Sequence, residues 1–364
     1  MGAASRDLRA VLEPYAERSS GLAWLLFLGT VAIYLATVAG AVFLDPVLAR
    51  LACAVLAGAV IASLFVIGHD AAHGAYTDSR RVNALIGRIA FLPALHNFSL
   101  WRVQHNRLHH RVTNLKGFNS WSPLTKAEYD RLPPLRRAVE RLYRTPLGLA
   151  PYYLIRRWWT DKFFPRRRRE RAHWAVWLDF ALLLAYLSAF LAVLALAGER
   201  FTHSGALAAI FWGFAVPFLV WNAMMGATTF MQHTHPRVPW FEAMADLHAL
   251  GGQETVSVQV AMPRWYGFIS HHVMEHPAHH LHPKIPLYRL AAAQRRLNEV
   301  LGERAVIQPF SLPYLLRTLA ACKLYDYREH RWLDFAGRPT SGSTLPAPAR
   351  GHQAPVRIRR AATA

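Results

Sequence analysis

Cysteine is nearly missing from these 364 residues. The two that occur, Cys53 and Cys322, are far apart and neither belongs to a CxxC pair, so a disulfide framework and a thiolate metal site are both excluded. Acidic residues are scarce as well, 22 Asp and Glu against 42 Lys and Arg, for a formal charge of +20. A cleavable signal peptide is not expected, because the first apolar run is too long and follows a twenty-residue polar arm. That run, residues 22–44, holds no charge at all. At 1.5 Å per residue it reaches about 34 Å, enough to cross a bilayer core of about 30 Å.

Hydrophobic residues make up 53% of the chain and gather into four such runs, at about 22–44, 47–68, 174–197 and 206–230. The second is broken only by Arg50, placed near its start where a guanidinium is expected to snorkel to the interface. Arginines cluster in the N-terminal arm (Arg6, Arg9, Arg18), between the second and third runs (Arg156, Arg157, Arg166 to Arg169, Arg171) and after the fourth. The short connections Asp45-Pro46 and 198–205 carry a single basic residue, Arg200. By the positive-inside rule both termini and the middle segment face the cytoplasm. The basic excess therefore reads as topology and contact with anionic headgroups, and nucleic acid is not an expected partner.

These features predict an all-α integral membrane protein: four transmembrane helices in two hairpins, capped by a helical cytoplasmic domain, in the inner membrane of a bacterium. Residues 1–20 are expected to form an amphipathic cytoplasmic arm, with Leu8, Val11, Leu12 and Tyr15 on one side, lying on the membrane or in solvent. Residues 21–336 form the membrane domain. The apolar stretch 84–95 is too short to cross and is read as a surface or re-entrant segment. From 337 to 364 the chain is rich in Pro, Gly, Ala and Ser and is expected to be disordered.

Histidine is what the chain has in clusters: HDAAH at 69–73, HNRLHH at 105–110, HPAHH at 276–280, and the looser QHTHP around His233 and His235 and the pair His271-His272. Spacings of three and four residues put imidazoles on one helix face. Each cluster follows an even number of crossings, so all reach one side of the membrane. Nine imidazoles (His69, His73, His105, His109, His110, one of His233 or His235, His276, His279 and His280) exceed what one metal accepts, and two metals sharing them is the economical solution. Neutral imidazole suits iron as well as zinc, and the Glu-x-x-His motif of soluble di-iron bundles is missing. His271, His272 and His282 stand as further or outer partners. Asp70 and Glu275, each beside a ligand candidate, are expected to accept an imidazole N–H.

HDAAH, HNRLHH with its following TN, and HPAHH resemble the three histidine boxes of the membrane fatty acid desaturase and hydroxylase superfamily. FMQHTHP and IPLYRL resemble segments of its omega-type acyl desaturases, and the likeness runs from about residue 22 to 300. The resemblance implies a non-haem di-iron centre held by His69, His73, His105, His109, His110, His276, His279 and His280, with His233 preferred over His235 as ninth ligand. It implies O2 as co-substrate, a fatty acid or acyl-lipid substrate, and electrons from a ferredoxin or similar donor with its reductase. The chain has no HPGG stretch of the cytochrome b5 kind, so that donor is expected to be a separate protein.

The expected reaction is formation of a C=C bond in a fatty acyl chain. The second box has three residues, Asn106 to Leu108, before its histidine pair where omega desaturases typically have two. That spacing occurs among hydroxylases and among desaturase-like decarboxylases and acetylenases acting at the chain terminus, which are the alternatives. Trp101 and Trp265 are candidates to line an acyl tunnel, and Arg102, Arg107, Arg111 and Arg264 to hold a headgroup. A histidine-rich metal transporter would need ionisable residues inside the spans, and these offer little beyond Arg50 and Asp179.

Overall fold

The computed structural model describes residues 3–165, 171, 173–250, 252 and 255–345. Four of its helices are long and apolar enough to cross a membrane: Ser20–Phe43, Val47–His73, Trp174–Phe201 and Gly205–His233. The first starts where the Ser19 side chain accepts from Leu22 N, and the second after Pro46, whose fixed φ favours a helix start. The second continues five residues past its expected end at Gly68 and stops at Gly74, which takes the left-handed φ of 63° that glycine adopts freely. The first histidine box is therefore the last turn of this helix.

The second long helix is the most deeply packed of the four, lying against the first, the fourth and the helix Arg80–Phe91. At Gly58 an added Cβ would stand 2.7 Å from the Pro217 carbonyl oxygen, so glycine is what lets the second and fourth helices touch. Leu25, Leu28, Leu35, Leu182 and Leu196 face outward on the first and third helices, as side chains meeting lipid do. The stretch read as surface or re-entrant becomes Arg80–Phe91, which buries Asn83, Ile86, Ala90 and Phe91 against its neighbours.

Several expectations are corrected. Arg50 does not snorkel: it is buried, and its Nη2 donates to Val42 O and to Ser204 Oγ, both at 2.7 Å. One guanidinium thus satisfies a free carbonyl at the end of the first helix and ties the two short connections together. Asp179 accepts from Arg88 Nε at 2.6 Å and from Ser99 N at 2.7 Å, so it fixes the start of the helix Phe98–Gln104 against the third long helix.

The N-terminal arm, helix Ala3–Leu12, buries Leu8 and Leu12 against Ala278, Leu281, Ile285 and Leu297. Its apolar face is spent on the third histidine box and not on lipid. The tail expected to be disordered from 337 is packed as far as 345. Thr344 Oγ1 donates to His330 O at 2.9 Å, and Leu345 packs on Phe241 and Leu247. The rest of that tail, 346–364 with His352, lies outside the described residues, as do Arg166 to Arg169.

The all-α expectation misses two short ladders. Gln259–Ala261 runs parallel to Ile307–Pro309, with Val260 opposite Gln308, and Leu324–Asp326 is antiparallel to Arg331–Leu333. Three residues are too few for a period-2 signal to show.

Candidate metal centre

The clustered histidines converge on one end of the helix bundle. Two groups form: His69, His73, His105, His110 and His279 in one, and His109, His233, His276 and His280 in the other, each with its ligand nitrogens within 4.8 Å of one another. All nine imidazoles named from the sequence with His233 are there. His233 is the last residue of the fourth long helix, and His69 and His73 are on the last turn of the second.

The two histidine doublets divide their members. His109 and His280 enter one group, and His110 and His279 the other. Consecutive residues on a helix point about 100° apart, so a doublet aimed at the seam between two sites feeds both.

The second box does this with an unusual turn. His105–His109 is a π-helix, and His110 N donates to His105 O at 3.2 Å, five residues back. A π-turn takes up one residue more than an α-turn and is frequent at functional sites. Here it absorbs the three-residue gap: His105 and His110 share a group, with their Nε2 atoms 2.9 Å apart. Asn106, one of the three intervening residues, donates from Nδ2 to Ala72 O at 3.0 Å and pins the turn to the first box.

The third box starts a new helix, His276–Leu281, with Pro277 in its first turn. The free Ala278 N–H there donates to Gln294 Oε1 at 2.9 Å.

Several Nε2 atoms face one another closely. His276 is 2.9 Å from both His233 and His280, and His110 is 3.1 Å from His279. Ligands at about 2.1 Å from a metal and at right angles to each other lie about 3.0 Å apart, so these spacings fit imidazoles sharing an ion. His73 Nε2 is buried with no hydrogen-bond partner among the described residues, as a nitrogen reserved for a metal would be.

Burial pushes His105, His109, His110, His276, His279 and His280 well below the ordinary histidine pKa, and neighbouring imidazoles add to the effect for most of them. They are neutral at pH 7, with a lone pair to give. The donor set is all nitrogen and uncharged, which suits a first-row divalent ion such as iron.

Outer partners turn Nε2 inward by engaging Nδ1. His69 Nδ1 lies 3.2 Å from Asp70 Oδ1, His109 Nδ1 3.1 Å from Asn119 Oδ1, His233 Nδ1 3.1 Å from Val256 O, and His280 Nδ1 3.3 Å from Thr113 Oγ1. Asp70 also accepts from Leu287 N. Asn114 takes a φ of 56° and donates to His233 O and Pro239 O, joining the loop after the second box to the fourth helix. Asn119, Thr113 and Val256 escape sequence reasoning; the TN after HNRLHH was the one visible trace.

Other candidates stand elsewhere. His235 belongs to neither group: its Nδ1 accepts from Arg237 N at 3.0 Å, and burial pushes its pKa down to about 4. His271 and His272, at φ 49° and 57°, are also outside both groups. Glu275, expected to accept an imidazole N–H next to the third box, has its Oε1 3.5 Å from Nδ1 of His272, which lies outside both groups. His282 pairs with Glu13 of the arm at 2.8 Å.

A cavity of about 630 Å³ abuts both groups, with His69, His105, His109, His233 and His276 on its wall. Trp101 lines it and stacks on His105 at 4.0 Å between ring centres. The remaining wall is mainly apolar, including Phe65, Trp221, Met225 and Leu56. From His69 to Leu56 is thirteen residues of one helix, so the cavity follows that axis for about 20 Å. Arg102, Arg111 and Arg264 do not line it, and the Arg107 side chain lies outside the described ones. Among the described side chains, the cations at the cavity are Arg157, paired with Asp161 at 2.8 Å, and Lys162, bonded to Gln104 Oε1 at 2.7 Å.

Comparison with known proteins shows the family to which the chain belongs. A family model described as "Fatty acid desaturase" matches residues 45–311. The chloroplastic omega-6 fatty acid desaturase of Spinacia oleracea is 29% identical over 273 residues, 74% of this chain and 58% of that protein. The sn-1 oleoyl-lipid 12-desaturase of Picosynechococcus sp. is 29% identical over 290 residues, covering 77% and 78%. That of Synechocystis sp. is 28% identical over 291 residues, covering 76% of each. The chain thus spans less than two thirds of the length of the spinach relative. With the match extending through all three histidine boxes, the chain belongs to the fatty acid desaturase family.

Proposed function

We propose that this protein is an O2-dependent di-iron desaturase that introduces a C=C bond into a lipid-bound fatty acyl chain. The observation that carries the reading is the pairing of two all-imidazole groups with the wall of one long apolar cavity. His69, His73, His105, His110 and His279 would hold one iron, and His109, His233, His276 and His280 the other. When bound, the iron pair supplies the oxidant that removes two hydrogens from adjacent methylenes, O2 being reduced to water with two electrons and two protons from outside. The chain's own residues hold the substrate still and dry. Phe65, Trp101 and Trp221 pack along the path of the acyl chain, and Asp70, Asn119, Thr113 and the Val256 carbonyl fix the imidazoles.

The placement of arginines supports a topology in which two hairpins cross the inner membrane of a bacterium, with the centre and both termini in the cytoplasm. Electrons come from a separate donor of ferredoxin type. Relatives named for action on oleoyl-lipid support a lipid-bound substrate.

The cavity is long enough for an extended acyl chain beside the centre, and attack within that chain is supported by relatives named 12-desaturases. The spacing of the second box gives no reason for a different reaction, since its π-turn returns His110 to His105. Arg50 and Asp179 are spent on packing, so neither offers an ion path through the long helices. The test is lipid analysis by mass spectrometry of cells expressing the protein. The reading expects an acyl chain lighter by two hydrogens, and a hydroxy acid or a chain one carbon shorter as sole product would overturn it.

A further inference from the structure

Just before the third histidine box the chain forms the short helix Arg264–Ile269, and its outward side chains are apolar. Trp265 is 66% exposed, Phe268 70% and Ile269 47%. The inward positions go to Gly267 and to Tyr266, which packs on the cluster of Met274 and Tyr314. A helix facing water would have the opposite arrangement, and a patch of this kind marks a surface that meets another apolar phase.

Three observations identify that phase. The first is depth. Ser63 Oγ donates to Ile269 O at 2.7 Å. Ser63 lies six residues before His69 on the second long helix, so the end of the short helix is held about 9 Å along that axis from the first box, toward the helix interior. The second is continuity. Trp265, Phe268 and Ile269 line the same cavity as His69 and His276, and so do Ile33 and Leu56 of the first two long helices, which are also exposed. Side chains that both line a cavity and face outward border an opening. The third is the turn: His271 and His272 both take left-handed φ, so the chain reverses sharply and sends the third box back to the metal groups while the short helix stays low.

We propose that Arg264–Ile269 is a lip inserted into the lipid, and that with Ile33 and Leu56 it frames a lateral portal through which the acyl chain of a membrane phospholipid enters the cavity. Trp265 sits at the level that indole favours, and Arg264, exposed at the start of the helix, reaches the headgroups. The proposal rests on the reading that the four long helices cross a membrane and that the substrate is a lipid-bound chain. It adds where that chain comes in.

The test uses the full chain in vesicles of phosphatidylcholine and phosphatidylglycerol. Phe268→Cys, made with Cys53→Ser and with Cys322 left buried, carries a nitroxide whose collisions with O2 and with a water-soluble nickel chelate are compared. Collisions with O2 are expected to exceed those with nickel several-fold, and the reverse at a Glu303→Cys control. Nickel dominating at position 268 would overturn the lip.

A reducible bis-maleimide bridging Ile33→Cys and Phe268→Cys tests the portal. Lipid conversion is expected to fall with bridging and to return on reduction; full conversion with the bridge verified by mass would overturn it. If the unbridged protein converts no lipid, the functional reading fails, and the nitroxide depth still decides the lip.

Discussion

The two imidazole groups share a seam but are held differently. In the four-membered group, three histidines have Nδ1 engaged by the protein, at Asn119, Thr113 and the Val256 carbonyl. In the five-membered group, His69 has Asp70, while buried His110 Nδ1 has no partner among the described residues. That group relies on the stiffness of its scaffold: the last turn of a long helix and a π-turn pinned at Ala72. The four-membered group leans more on hydrogen bonds to Nδ1 and the five-membered group more on backbone. The lesson is that a π-turn brings His105 and His110 into one group across the three residues of the second box.

The largest effects are expected from the ligands that define each group. His110→Ala and His276→Ala should each cut desaturation by at least about 100-fold, beyond the 10–100-fold usual for an outer partner. Metal analysis should show one ion weakened and not both; equal loss from both groups would break the comparison. Asn119→Ala comes next. It should lower metal affinity in the four-membered group by about 10–100-fold and spare the other, as read by titration with a chelator.

Leu12→Ala removes a fully buried side chain under the third box, which serves both groups. A cost of about 2–5 kcal/mol is expected in unfolding in detergent, with the ratio of metal between the groups unchanged. The smallest effect is expected at His235→Ala, which should leave metal content and product unchanged. A drop in iron there would return His235 to the site.

The convergence of the histidines was legible because helical spacing carries phase: HDAAH and HPAHH put their imidazoles on one face whatever surrounds them. The long helices were legible for the same kind of reason, since a run without charge has few alternatives. What escaped depends on contacts between distant segments. Val256 acts through a carbonyl, which has no side-chain signature. Arg50 looked like an interfacial arginine because nothing in the sequence says that Val42 O and Ser204 Oγ meet beside it. The arm around Leu12 showed its amphipathicity but not its partner, and an apolar stripe fits a membrane and a helix equally well. Glu275 faces His272, a contact that its place next to His276 in the sequence does not show.

The central claim is that nine histidines hold two irons. Elemental analysis of the full-length protein, purified in detergent from iron-replete cells, tests it most directly. About two irons per chain are expected, falling to about one in His276→Ala. Zinc in place of iron, or clearly fewer than about two metal ions per chain in protein that is fully active, would contradict it.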